Sequence, residues 1–393
     1  MTAETVQLSP ESRSKGLRYV PALYFFFYAA VGVYWVYYNV FLQNAGMSGT
    51  QIGLIAMISG LVSFTVSPLW GYLSDRTGNA RGLLAVAAAG VSITGLLMPV
   101  WRTFGSFLAL GCIYAVFSVA LMTLMDSSVL TLLGDNRAEY GRFRLGGTFG
   151  YIASSSTVGF IFPLIGLDRM FVLYALMNVV FIFIVLRLPV LPVAPKAAGS
   201  QRAALGGMLR NPAWVLFMVT VFILWMANTG LYGFLSVSLK SMGATDSLVG
   251  LVAAAAAFFE IPFMFFSGWI MRKLGSARML WFSLLGYTLR LFLYSIIPAP
   301  EWAIAVNVLN GVSYVMFYNS AIAYAYEAAP QEFKATSQGL FISTTALAGV
   351  AGSAVSGWMY DALGPPGLFR VLAGITFAAF VIFGLGRIKR NRP

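Results

Sequence analysis

Four ionised side chains stand inside long apolar runs of this sequence, and they are the groups with chemistry to offer: Asp126, Arg144, Glu260 and Arg290. A charge in hydrocarbon costs roughly 2.5–3.5 kcal/mol on insertion scales, so each must face a wet cavity or a partner. An acid that can make and break a contact with a base changes its proton affinity as it does so. The sequence has no histidine, so a proton carrier would have to be Asp126 or Glu260. For each charge there is also a purely structural reading. Arg144 could snorkel to the surface, Asp126 could bond one helix to another, and Glu260 and Arg290 could form a static buried pair.

Polar and aromatic residues keep helical spacing around these charges. Arg144, Gly147, Tyr151 and Ser155 form one stripe, and Ser283, Tyr287, Arg290 and Tyr294 form another. Tyr24, Tyr28, Trp35 and Asn39, then Trp225, Asn228 and Tyr232, then Asn307, Asn310 and Tyr314 extend the set. Taken singly, such aromatics are interface anchors or packing. Taken together, they make a site for a small polar solute, with rings to stack on it and polar groups to orient it. Other chemistry is poorly served. The single cysteine, Cys112, lies in an apolar run, so no intrachain disulfide, redox pair or metal site is expected. No nucleophile motif such as G-x-S-x-G appears, so we expect no enzyme and no cofactor.

The elements that carry these residues must be membrane spans. Of 393 residues 59% are hydrophobic and 10% charged, against about a quarter charged in soluble domains. Apolar runs lie near 19–43, 50–74, 82–101, 105–133, 143–166, 170–190, 213–239, 247–271, 279–297, 302–326, 336–360 and 367–386. Each is long enough to cross about 30 Å of hydrocarbon as a helix, and none alternates as a barrel strand would. The expected fold is an all-α membrane protein of twelve transmembrane helices in two six-helix bundles. Its parts are a tail at 1–18, a first bundle at 19–190, a linker at 191–212, a second bundle at 213–386 and a basic tail at 387–393. No cleavable signal is expected, because the first 18 residues are polar and the run after Arg18 is too long.

The bases give the orientation. Nineteen Lys and Arg fall on the side that holds both termini and four on the other, with two inside spans. That bias places both ends in the cytoplasm of a plasma membrane, and it accounts for the net charge of +12 without nucleic acid as a partner. The expected partners are the lipid bilayer, a small-molecule substrate and, as coupling ion, the proton; nothing signals oligomerisation, so a monomer is expected.

The halves repeat. Gly71, Asp75, Arg76, Gly78 and Arg81 in GYLSDRTGNAR are followed 197 residues later by Gly268, Arg272, Lys273, Gly275 and Arg278 in GWIMRKLGSAR. Half a chain is the offset expected of two bundles related by an axis along the membrane normal. Tight turns explain the glycines, which let backbones approach or adopt positive φ. Asp75 could pair with Arg76 or Arg81 or lie against a helix N-terminus, or the turn could simply carry topogenic charge.

GYLSDRTGNAR resembles the signature between spans 2 and 3 of the major facilitator superfamily. YGRFRLGGTFGY at 140–151, with Asp126 eighteen positions before Arg144, resembles the opening of span 5 in the lactose-permease-like branch of oligosaccharide, nucleoside and phenylpropionate proton symporters. The first resemblance implies a gating role for Gly71, Asp75, Arg76, Gly78 and Arg81. The second implies substrate-binding charges at Asp126 and Arg144, a stacking ring at Tyr151 and coupling residues at Glu260 and Arg290. Tyr28, Trp35, Asn228 and Asn310 complete the expected substrate site. On span 10, Asn310 and Ser313 stand where that branch has a histidine and an acid, so its coupling mechanism does not carry over whole. The resulting expectation is proton-coupled symport by alternating access, with a proton-coupled exporter or an uncoupled facilitator as alternatives.

Overall fold

A computed structural model of the chain describes residues 10–189, 211–329 and 334–390. The linker stretch at 191–210 and the extreme tails lie outside them. The described residues form helices joined by short turns. They are α1 (Pro10–Asn44), α2 (Gly49–Thr77), α3 (Ala80–Leu97), α4 (Phe104–Leu133), α5 (Tyr140–Ile165), α6 (Met170–Leu186), α7 (Pro212–Ser241), α8 (Asp246–Leu274) and α9 (Ser276–Tyr294). The rod at 302–328, α10, is irregular. Its α-helical ends, Trp302–Val306 and Met316–Ala328, enclose a 3₁₀ turn at Asn307–Leu309 and a π turn at Gly311–Val315. Helix then runs over Lys334–Arg390 with one break, at Gly364, whose φ is +69°. We name the arm before that glycine α11 and the arm after it α12.

Local sequence explains where these helices start and stop. Thr103 and Ser106 make a reciprocal capping box at the head of α4, and Asn79 and Thr245 cap α3 and α8 with side-chain oxygens. Asn211 caps α7 ahead of Pro212, a first-turn position that loses no helical hydrogen bond. The turns that demand positive φ fall to glycine and recur with the repeat. Gly46 (φ +86°) matches Gly243 (+89°), Gly78 (+62°) matches Gly275 (+75°), and Gly166 (+87°) matches Gly364 (+69°). Helix also extends beyond the apolar runs at both ends of the chain. α1 begins at Pro10, inside the polar tail expected at 1–18, and α12 continues to Arg390.

Among the described residues nine helices are long and apolar enough to cross a membrane. Their outward faces carry large apolar side chains such as Leu164, 84% exposed, and Phe265, 83% exposed; in lipid no such face needs covering.

The chain divides into two compact units. One comprises residues 1–46 and 58–197, the other 47–57 and 198–393. In the first, α1 packs along α5 and α6, and α3 packs on α4 and α6. The approach of α1 to α5 is so close that a Cβ on Gly146 would lie 2.5 Å from the Pro21 carbonyl oxygen, and one on Gly150 would lie 2.9 Å from Phe25 Cα. In the second, α7 packs along α11 and α12, with Gly230 against Ser356 and Leu372, while Trp281 of α9 stacks on Phe380 of α12 at 4.7 Å.

Candidate functional site

In the first unit, α1 supplies two tyrosines one turn apart, and each takes one in-span charge. The Tyr24 hydroxyl donates to Asp126 Oδ1 of α4 at 2.7 Å, and Arg144 Nη2 of α5 donates to the Tyr28 hydroxyl at 3.0 Å. The acid and the base are therefore held through phenols on neighbouring turns of one helix, whose rings lie 6.5 Å apart. Tyr140 closes the group edge-on to Tyr24 at 6.3 Å. Gly147 makes room for this: a Cβ there would be 3.0 Å from Tyr28 Cε2. Tyr151 lies two turns along α5 from Arg144 and is half-buried. Trp35 shares the α1 face of Tyr28 and is 69% exposed.

In the second unit the arrangement is denser. Arg290 of α9 is completely buried, and the irregular middle of α10 wraps around it. Arg290 Nη1 donates to Asn310 Oδ1 and, at 3.4 Å, to Ser313 Oγ; Nη2 donates to Asn307 Oδ1 at 2.8 Å. Tyr294 and Tyr232 donate to Asn307 Oδ1 and Asn310 Oδ1 at 2.7 and 2.9 Å, and both rings lie under the guanidinium within 5.7 Å, a favourable cation–π distance.

The two amide nitrogens then reach across to α8. Asn307 Nδ2 donates to the Val252 carbonyl at 2.7 Å, and Asn310 Nδ2 donates to the Ala256 carbonyl at 3.0 Å and to Glu260 Oε1 at 2.7 Å. Asn310 thus joins the acid to the base with one side chain, its oxygen toward Arg290 and its nitrogen toward Glu260. A primary amide can do both because its two ends are acceptor and donor respectively.

The backbone of α10 is what permits this convergence. Asn307 and Asn310 are three apart across the 3₁₀ turn, which stacks them on one face whereas an α-helix fans them out, and Ser313 follows in the π turn. At Gly311 the Phe263 ring of α8 lies where a Cβ would stand, so α8 and α10 meet ring against backbone beside Asn310.

Beyond this network lies an aromatic wall. Trp225 is 6.2 Å from Tyr318, Tyr318 stacks on Tyr314 at 6.1 Å, and Tyr314 meets Tyr232 edge-on at 6.3 Å. Tyr232 and Tyr318 are more than a third exposed, so the wall has accessible faces. Asn228, on the α7 face of Trp225 and Tyr232, is turned inward and accepts from Tyr287 at 2.7 Å.

The structure therefore groups Asn310, Glu260 and Arg290 within one network, and Asp126, Arg144 and Tyr28 within another, while Asn228 is bonded to Tyr287. Tyr24, Tyr232, Tyr287, Tyr294 and Asn307, which the helical stripes marked in the sequence, also belong, as does Ser313 of span 10. Tyr140 and Tyr318 lay off the stripes and were missed.

The turn between α2 and α3 is more open. Asp75 and Arg76 are exposed, Arg76 Nη1 reaches the Tyr72 hydroxyl at 3.5 Å, and Gly78 has positive φ. Arg81 does something more definite: its Nη1 donates to the Leu186 and Leu188 carbonyls at 3.4 and 3.0 Å, placing a cation on the negative end of α6. Gly71, on the last turns of α2, is half-buried.

Residues 17–371 match the MFS_1 like family. Over 366 residues the chain is 26% identical to a maltose permease of Geobacillus stearothermophilus, covering 92% of this chain and 90% of that protein. It is also 26% identical over 299 residues to the multidrug resistance protein MdtG of Dickeya zeae, covering 72% of each. Among solved structures, the D323A mutant of the nucleoside transporter NupG superposes with a TM-score of 0.85 over 94% of this chain and 99% of that one, at 17% identity, a likeness of fold.

Proposed function

We propose, for a chain that belongs to the MFS_1 like family and is a multi-pass membrane transporter, secondary active transport of a small polar organic solute by alternating access. The substrate class is a sugar, a nucleoside or a small aromatic acid, and the driving ion is the proton. One observation carries this reading: in each unit an in-span acid and base, half-buried except for the fully buried Arg290, are held by neutral hydroxyl or amide groups, and in the second unit these stand beside accessible aromatic faces. Phenol and amide contacts break at lower cost than a direct buried ion pair, so a solute bearing hydroxyls or amides can exchange with them. The flat faces of Tyr232 and Tyr318 suit the apolar face of a sugar ring or a base. The names of the maltose permease and of NupG point to the same classes.

In this mechanism Asp126 and Glu260 are the proton sites. When Glu260 is ionised, the Asn310 amide donates to it. When it is protonated, the amide can turn and release its hold on Arg290. Asn310 itself neither takes nor gives a proton, and this favours a second reading, an uncoupled facilitator; the likeness to MdtG favours a third, a proton-driven exporter.

Purified protein in liposomes separates them. With labelled maltose, uridine and an aromatic acid, an inside-alkaline pH gradient is expected to drive accumulation of one of the three. Asp126→Asn or Glu260→Gln is expected to abolish accumulation, with one of them preserving exchange. Accumulation retained in both variants would refute the proton role, equilibration without accumulation would establish the facilitator, and gradient-driven expulsion would establish the exporter.

A further inference from the structure

The two repeated turns share their glycines but not their charge. Gly71, Tyr72, Asp75, Arg76 and Arg81 at the end of α2 correspond, at the offset of 197, to Gly268, Trp269, Arg272, Lys273 and Arg278 at the end of α8. One acid and two bases sum to +1 in the first copy, and three bases sum to +3 in the second. The first turn thus carries its own counter-charge and the second does not. Either would serve to orient the chain in a membrane, so orientation does not account for the difference.

The cations of the second copy are folded back along their helix. Lys273 Nζ lies 4.3 Å from the centre of the Trp269 ring, one turn back on α8. Arg272 Nη1 lies 3.6 Å from where a Cβ of Gly268 would stand, also one turn back. Side chains on a helix lean toward its N-terminus, so both cations lean toward the apolar run that α8 leaves rather than away from it. Gly268 gives the guanidinium a bare strip of backbone to lie on. Arg272 makes no hydrogen bond or ion pair among the described residues. Glu327, the acid that α10 brings to this turn, is already engaged by the Ser276 hydroxyl at the start of α9.

An apolar face continues from these cations. Phe265, Trp269 and Lys273 lie at spacing four on one face of α8, and Phe265, Phe266 and Trp269 are all exposed. From Phe265 to Lys273 is about 12 Å at 1.5 Å per residue. Phenyl rings, then an indole, then two cations is the order in which one leaflet presents acyl chain, interface and headgroup.

We propose that Arg272 and Lys273, with the Gly268 notch and Trp269, form a binding site for an anionic phospholipid of the phosphatidylglycerol type. The phosphate oxygens accept from the guanidinium and the ammonium, the indole stands at the level of the glycerol, and an acyl chain lies along Phe265 and Phe266. The bound lipid supplies the counter-charge that Asp75 supplies in the first copy. This site recognises no solute; it fastens the end of α8 to the leaflet.

Native mass spectrometry of the full chain in detergent, titrated separately with dioleoyl phosphatidylglycerol and with zwitterionic dioleoyl phosphatidylcholine, reads the affinity for each lipid. The parent is expected to bind phosphatidylglycerol at least about tenfold more tightly. Arg272→Asp, which brings in the residue type of the first copy, is expected to remove that preference, because each unit of charge beside a headgroup is worth about fivefold and this change is of two units. Arg370→Asp makes the same change at an exposed base on the opposite end of the same unit, a helix length away and so well beyond a Debye length of about 10 Å; it is expected to leave the preference within about twofold of the parent. Gly268→Leu keeps every charge but fills the notch, and is expected to weaken phosphatidylglycerol binding roughly threefold or more. An unchanged affinity for phosphatidylcholine checks that each variant is folded.

Equal losses in Arg272→Asp and Arg370→Asp would overturn the site, since binding would then follow total charge. A parent that does not distinguish the two lipids would overturn it as well, as would Gly268→Leu binding phosphatidylglycerol like the parent.

Discussion

The side chain with most at stake in this molecule is Asn310. It is fully buried, and its oxygen and nitrogen together bond Arg290, Tyr232, Ala256 and Glu260. Replacing it with leucine keeps the volume but removes one bond each from a guanidinium nitrogen, a phenol, a carboxylate and a backbone carbonyl, and a polar partner left short of a bond costs about 1–3 kcal/mol, more when charged. Asn228 is also buried but accepts one described bond, from Tyr287. We therefore expect Asn310→Leu to destabilise the protein by about 3 kcal/mol or more and Asn228→Leu by about 1 kcal/mol, visible as a larger fall in Tm in detergent for the first. Equal falls would mean that the Asn310 bonds carry no more than one of them is worth. The sequence showed Glu260 and Arg290 as charges that needed company, because their cost in hydrocarbon depends on residue type alone. It did not show that an amide stands between them, since a direct pair and a bridged pair leave the same pattern along α8 and α9.

Helices in this protein are positioned by their glycines, and the glycines differ sharply in what surrounds them. Gly150 sits under the backbone of α1, with Phe25 Cα 2.9 Å from where a Cβ would be, whereas Gly141 on the same helix has nothing within 4 Å. A valine at 150 must push α1 away from α5, and with it the Tyr24 and Tyr28 hydroxyls that hold Asp126 and Arg144. Gly150→Val is expected to cost at least about 3 kcal/mol and to fail in yield or in Tm; Gly141→Ala is expected to be neutral or to gain up to about 1 kcal/mol of helix propensity. If the two behaved alike, the close approach of α1 and α5 would not be what holds these helices together. Helix starts and stops were legible in the sequence to within a few residues wherever a polar turn interrupted an apolar run. The winding inside α10 was not: nothing in the local sequence at 307–315 marks the change from 3₁₀ to π around Asn310, where Arg290 and Phe263 meet it.

At the scale of the whole chain, the repeat read from two loops turns out to be backed by the backbone, because the turns at Gly46, Gly78 and Gly166 recur at Gly243, Gly275 and Gly364 with φ in the same region. Left-handed turns are a stronger sign of common architecture than matching residue letters, since a residue with a Cβ would be strained at each. The close approach of Gly49 to Gly357, where a Cβ on the first would stand 2.9 Å from the carbonyl oxygen of the second, could not be seen in the same way. It joins positions more than three hundred residues apart, and small residues are common in membrane helices for many reasons. Orientation in the membrane is the remaining property that the sequence states most directly, through the 19-to-4 division of its bases. Lysine and arginine flanking short loops are retained on the cytoplasmic side during insertion, so the face bearing Gly141 and Gly339 should be inside the cell and the face bearing Gly105 outside. With Cys112→Ala as background, a membrane-impermeant maleimide added to intact cells is expected to label Gly105→Cys and to leave Gly339→Cys unlabelled until the cells are opened. The reverse pattern would place nineteen bases on the outer surface, a distribution that the insertion machinery disfavours.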